Sequence, residues 1–211
     1  MRLRARDPWL LSLVCAFLPA TIITTLVVGL RVFRGYPIVD MARDPNYTMH
    51  VPLYTGFMSN AGVLLWWAGA VIAIFSFVVQ TSRGRRDGTA MFLLAMGALT
   101  TALVLDDFYM FHDGYLGGRL GISERYALFV YAVSLLSIIG FFWDTILDSN
   151  YVILAGSLLC FAASVVIDKY FEDVLPARHL FEDGSKLFGI SAWTYYLFTV
   201  SRHMLTPVHV P

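Results

Sequence analysis

The chain has 211 residues, of which 58% are hydrophobic and only 14% charged. Soluble domains carry about 25% charged residues, and the mean hydropathy here is +0.67, which excludes a soluble domain with one anchor and points to a multi-pass membrane protein. The formal net charge is zero, so nothing argues for nucleic acid as a partner.

Arg2, Arg4 and Arg6 precede an apolar run from Trp9 to Leu30. The run is too long for a signal-peptide core and lacks a small-x-small cleavage site. It reads as an uncleaved first transmembrane helix, with Pro19 placed to kink it. Cys15 lies inside this run and Cys160 inside a later one. Both read as small buried hydrophobes rather than a disulfide pair.

About 20 apolar residues cross a bilayer core. By that measure the chain has six candidate spans: Trp9–Leu30, Tyr54–Val79, Ala90–Phe111, Tyr126–Leu147, Tyr151–Tyr170 and Ser185–Met204. The expected fold is an all-α integral membrane protein, a single domain over residues 1–211 formed by a bundle of about six transmembrane helices. The longest connection, residues 31–53, contains Pro37, Pro45 and Pro52 with Asp40, Asp44 and His50, and reads as a structured polar cap rather than a helix. Arginines crowd the turn of residues 82–88.

Six crossings put both termini on one side. Lys and Arg are divided almost evenly between the two sides, so the first segment decides the orientation. The termini are expected in the cytoplasm and the polar face in the periplasm, in a bacterial inner membrane. Whichever way the chain is oriented, the end of the third span, the end of the fifth and the start of the sixth share one face.

That face gathers the candidate site. Leu105-Asp106-Asp107 followed by His112-Asp113 closes the third run, and Glu182-Asp183-Gly184-Ser185-Lys186 opens the sixth. Ionisable groups at the edge of lipid are costly, and function is their default reading. Asp106 and Asp107 diverge by about 100° around a helix, so they serve different neighbours. Asp168 follows Ser164 by one turn and precedes Glu172 by another, forming a polar stripe. Glu182 and Lys186 are spaced i, i+4, and Asp183 stands where an N-cap belongs. Lys186 lies a turn inside an apolar run and is expected to neutralise the Asp106/Asp107 pair. Gly189, Trp193 and Tyr196 continue its face with small and hydrogen-bonding groups suited to a bundle interior. The expected structural charge network is therefore Asp106, Asp107, Asp168, Glu182 and Lys186.

A metal reading uses Asp106, Asp107, His112 and His179, with His50 a distant further ligand. The acid-rich, histidine-poor set suits a hard divalent cation better than zinc. No phosphate loop, serine triad or haem spacing is present. The aromatic content is high, and the adjacent Trp66 and Trp67 sit mid-span as a candidate face for a cofactor or partner. Bound lipid, pigment or quinone would suit such a surface.

The Leu105-Asp106-Asp107, His112-Asp113, Glu182-Asp183-Gly184 and Lys186 pattern resembles small multi-pass prokaryotic membrane proteins, a likeness that implies no activity. Membrane hydrolases of the alkaline ceramidase and adiponectin-receptor type differ. They have seven helices and a closely spaced histidine pair on the last, which this chain lacks.

Two functions follow from these residues. The first is a non-catalytic integral membrane accessory or scaffold subunit that docks on a larger photosynthetic or respiratory complex. Its charged lock would join spans three, five and six, and its partners would be membrane lipids and other integral subunits. The alternative is a metal-dependent hydrolase of a lipid-like substrate, with the metal on the Asp/His cluster and Asp168 or Glu182 as general base.

Overall fold

Long apolar stretches without internal proline dominate the chain after residue 54, and in a computed structural model they form helices. The structure describes residues 9–42, 45–52, 54–111, 124–170 and 178–206. Of these, 87% are helical and none is in a strand. Two units are distinguished, Met1–Thr55 and Gly56–Pro211.

The first unit contains α1 (Trp9–Arg34), α2 (Ile38–Ala42) and α3 (Pro45–Thr48). The 31–53 connection, expected to be free of helix, thus holds two short ones. Proline is favoured in the first turn of a helix, where its missing N–H is not needed, and Pro45 opens α3. Gly35, at φ 73, ends α1 in the left-handed region.

The second unit contains α4 (Phe57–Ser82), α5 (Gly88–Tyr109), α6 (Glu124–Phe141), α7 (Trp143–Leu147), α8 (Tyr151–Tyr170) and α9 (Arg178–Leu205). Helices α4, α5 and α8 are long and apolar enough to cross a membrane. Among the described residues three helices meet that measure rather than six. The apolar part of α6, Tyr126–Phe141, is shorter. Helix α9 carries Glu182, Asp183, Lys186 and Arg202 along its length, which lowers its hydropathy.

Two boundaries differ from expectation. The fourth run breaks at Phe142, whose φ −108 and ψ 28 interrupt the helix between α6 and α7. Gly140 weakens the helix just before that point, and the Phe142 ring packs edge-on against Phe92 at 5.6 Å. The last helix begins at Arg178, well before Ser185. Asp183 is therefore an exposed residue within α9 and not its N-cap. One interior glycine, Gly184, costs only about 1 kcal/mol of helix propensity, too little to stop a helix of this length.

Helix α9 is the hub, packing on α8, α4 and α5, while α4 also pairs with α5. Membrane bundles hold together through close backbone approach and interhelical hydrogen bonds, and both are present. A Cβ on Gly97 would lie 2.6 Å from Ile74, and one on Gly189 would lie 2.9 Å from the Phe161 ring. Trp193 Nε1 donates to Thr100 Oγ1 at 3.0 Å. Ser157 Oγ donates to the Gly189 carbonyl at 2.7 Å. Ser149 Oγ and the Tyr196 hydroxyl are 2.8 Å apart. Gly189, Trp193 and Tyr196 all lie on the buried side of α9.

Candidate functional site

Asp106 and Asp107 lie in the last turn of α5. The helix stops just beyond them because Met110 adopts a left-handed conformation, φ 50, and its N–H bonds the Asp106 carbonyl. Carboxylates at a helix C-terminus oppose the helix dipole, so each needs a compensating partner. Helix α9 supplies one. Lys186 stands two turns in from Arg178, about 12 Å along the axis at 1.5 Å per residue. Its Nζ donates to Asp107 Oδ1.

Asp107 is the more enclosed of the two, with a side-chain exposure of 15%, while Lys186 keeps 36%. Met58, Ser59 and Gly62 of α4 close around the pair, with Leu187 and Ile190 of α9. A cleft of ≈20 Å³ remains beside the pair, about enough for one water molecule. Gly62 lets the helices meet here, since a Cβ on it would lie 3.1 Å from Ile190.

Asp106 is buried, at 8% exposure, and turns toward a different helix. Tyr131 on α6 is near enough to interact electrostatically with it. The divergence of neighbouring helical positions thus sends one acid to α9 and the other to α6.

The remaining predicted residues are more dispersed. His179 is exposed at the start of α9, with Nδ1 3.8 Å from Glu182 Oε2 of the next turn. Asp168 is exposed near the end of α8 and is engaged by a neighbour. His50 belongs to the first unit. His112, Asp113 and Glu172 lie outside the described residues. Among the described residues no three His, Cys, Asp or Glu side chains come together as a metal site would require. Of the metal set, Asp106, Asp107 and His179 therefore do not converge.

The tryptophan pair splits. Trp66, one half of the candidate cofactor or partner face, is a core residue at 6% exposure, its ring 5.6 Å from Phe161. Phe161 in turn lies 6.2 Å from Trp193. Trp67 points outward at 46% exposure. Adjacent helical residues cannot share a face, so only Trp67 is left to meet lipid or a partner.

Residues 13–200 match the family described as domain of unknown function DUF8692. The chain belongs to that family. No curated protein and no solved structure matches it. The family description carries no chemistry, so function rests on the geometry.

The second unit has a further cavity, at the other ends of its helices, that sequence reasoning did not find. It measures ≈500 Å³ and is lined by Gln80, Arg85, Asp148, Asn150, Arg202 and His203, among others. The one sequence signal was Gln80, an amide at the end of the long apolar run of α4.

Proposed function

We propose that this chain is a non-catalytic integral membrane subunit whose Asp107–Lys186 pair locks α5 to α9. The observation that carries this reading is the pairing itself: the two charges satisfy each other, and the adjoining space is ≈20 Å³. Sites for small-molecule substrates are typically several hundred Å³. Asp106 is itself engaged by a neighbour. A hydrolytic metal would have to displace Lys186 from Asp107, and no observation favours that alternative.

In this reading α1, α6 with α7, and α9 join α4, α5 and α8 to make six crossings of a bacterial inner membrane. The termini are cytoplasmic and the Asp107–Lys186 pair lies toward the periplasm. Exposed aromatic side chains support a docking role. Trp67, Phe75, Phe129, Phe141 and Phe188 all face outward, and aromatic residues are enriched at protein–protein interfaces. The partner is a larger membrane assembly of the bioenergetic class.

The test is purification from native membranes in mild detergent, with co-purifying proteins and bound metals measured on one sample. Co-migration with integral membrane partners at fixed stoichiometry is expected. A free monomer with one equivalent of metal, lost in Asp107→Asn, would overturn the reading.

A further inference from the structure

The ≈500 Å³ cavity of the second unit is framed by the α4–α5 turn, the α7–α8 turn and the last turns of α9. Its size falls within the range of ligand sites, roughly 300–1,000 Å³. Arg85 enters from the α4–α5 turn and Arg202 from the end of α9. Neither lies within ion-pair distance of a carboxylate among the described residues. Asp148 faces the same cavity from the α7–α8 turn. Asp87 also lines it, with one oxygen committed to the Ala90 N–H. Two cations and two acids therefore surround one space without pairing to each other. A zwitterion suits that charge balance better than a simple anion.

Gln80 supplies an independent sign of a ligand. It lines the cavity at 1% exposure. Its Nε2 donates to the Met204 carbonyl at 2.5 Å, but its Oε1 is buried without a donor. Leaving such an oxygen unpaired costs about 1–3 kcal/mol. A turn of the amide toward the cavity would bring this oxygen to a ligand N–H or O–H and remove that cost.

A third observation identifies the kind of molecule. A groove of ≈390 Å³ runs along α4 and α9, lined by Ile72, Phe75, Phe198 and Leu205. Arg202 lines both this groove and the polar cavity. The groove lies on α4, a helix long and apolar enough to span a membrane, and Phe75 is 63% exposed. A polar cavity at the helix ends that shares a wall with an apolar groove along the helices has the shape of a head and a tail.

We propose that cavity and groove form one binding site for a glycerophospholipid with an ethanolamine-type head. The phosphate lies between Arg85 and Arg202, whose guanidinium groups suit it. The ammonium donates to Asp148 and to Gln80 Oε1. One acyl chain occupies the groove beneath Arg202. The site is independent of whether the chain joins a larger assembly.

The experiment is native mass spectrometry of the full chain in a neutral detergent, after delipidation and titration with phosphatidylethanolamine or phosphatidylcholine. Phosphatidylcholine has the same charge but no ammonium N–H. Inorganic phosphate alone is tested in parallel by thermal shift. One phosphatidylethanolamine per chain is expected, held about tenfold more tightly than phosphatidylcholine, since hydrogen bonds to charged groups are worth about that factor or more. Arg85→Gln with Arg202→Gln, and separately Asp148→Asn, should each weaken it about tenfold or more. Arg86→Gln, next to the cavity but not lining it, should bind as the parent does. These residues are exposed, and an unchanged helical spectrum establishes folding. Equal binding of the two lipids, or unaltered binding by the arginine variant, would overturn the proposal. Full protection by inorganic phosphate alone would overturn it too, leaving a site for a soluble phosphate.

Discussion

Lys186 Nζ and Asp107 Oδ1 are bonded across 79 residues of sequence. Asp107 is in the last turn of α5, where a negative charge opposes the dipole. Lys186 stands more than two turns inside α9, past the reach of that helix's own terminus. The ammonium offsets the penalty at the end of α5 and fixes the height of α9 against α5, because one turn of slip would separate the two by 5.4 Å.

Trp66 and Trp67 should behave oppositely on truncation. Trp66→Ala opens a cavity between α4, α8 and α9 and is expected to cost about 3 kcal/mol or more. Trp67→Ala removes an outward side chain and is expected to change stability by less than about 0.5 kcal/mol. Thermal unfolding in detergent compares them directly. In native membranes, Trp67→Ala should loosen attachment to the partner assembly where Trp66→Ala lowers the amount of folded chain.

Gly97→Ala should destabilise the α4–α5 contact by about 1–3 kcal/mol, because the added methyl meets Ile74 Cγ1 and overpacking has that cost. Trimming the neighbour should relieve the clash, so the losses of Gly97→Ala and Ile74→Ala are expected to combine to less than their sum.

Much of this arrangement was legible in the chain because membrane sequences are written in contrasts. Lys186 stood out as a cation inside an apolar run, and its buried face could be followed through Gly189, Trp193 and Tyr196. The divergence of Asp106 and Asp107 followed from helix geometry alone. What stayed hidden depended on tertiary contact. The start of α9 at Arg178 could not be read, because Gly184-Ser185 looks like a boundary until packing carries the helix through it. The break at Phe142 lies within a continuous apolar run. The Arg85–Arg202 cavity arises from turns far apart in sequence, and arginines at the ends of membrane helices ordinarily read as topology signals.

Trp193→Phe should lose the hydrogen bond to Thr100 while keeping most of the ring's packing. A cost of about 1 kcal/mol is expected, in line with interhelical hydrogen bonds in membranes. Thr100→Val should cost at least as much as Trp193→Phe, because it strands the buried indole N–H and also removes the hydroxyl's bond to the Met96 carbonyl. Combined with it, Thr100→Val should add less than the sum of the two, since both remove the same bond. Chemical or thermal unfolding of the three variants checks it.

The most direct measurement is a double-mutant cycle on Asp107 and Lys186, read by thermal unfolding in detergent with elemental analysis of each sample. A structural lock predicts that Lys186→Met destabilises by about 1–3 kcal/mol, because it strands the enclosed Asp107 carboxylate. Asp107→Asn should destabilise by less, about 1 kcal/mol, because Lys186 is partly in contact with its surroundings outside the bundle. The double variant should then recover most of the loss, with no bound metal that tracks Asp107. Additive losses with no coupling, or an equivalent of metal in the parent that disappears in Asp107→Asn, would contradict the lock and return Asp107 to the metal-ligand role.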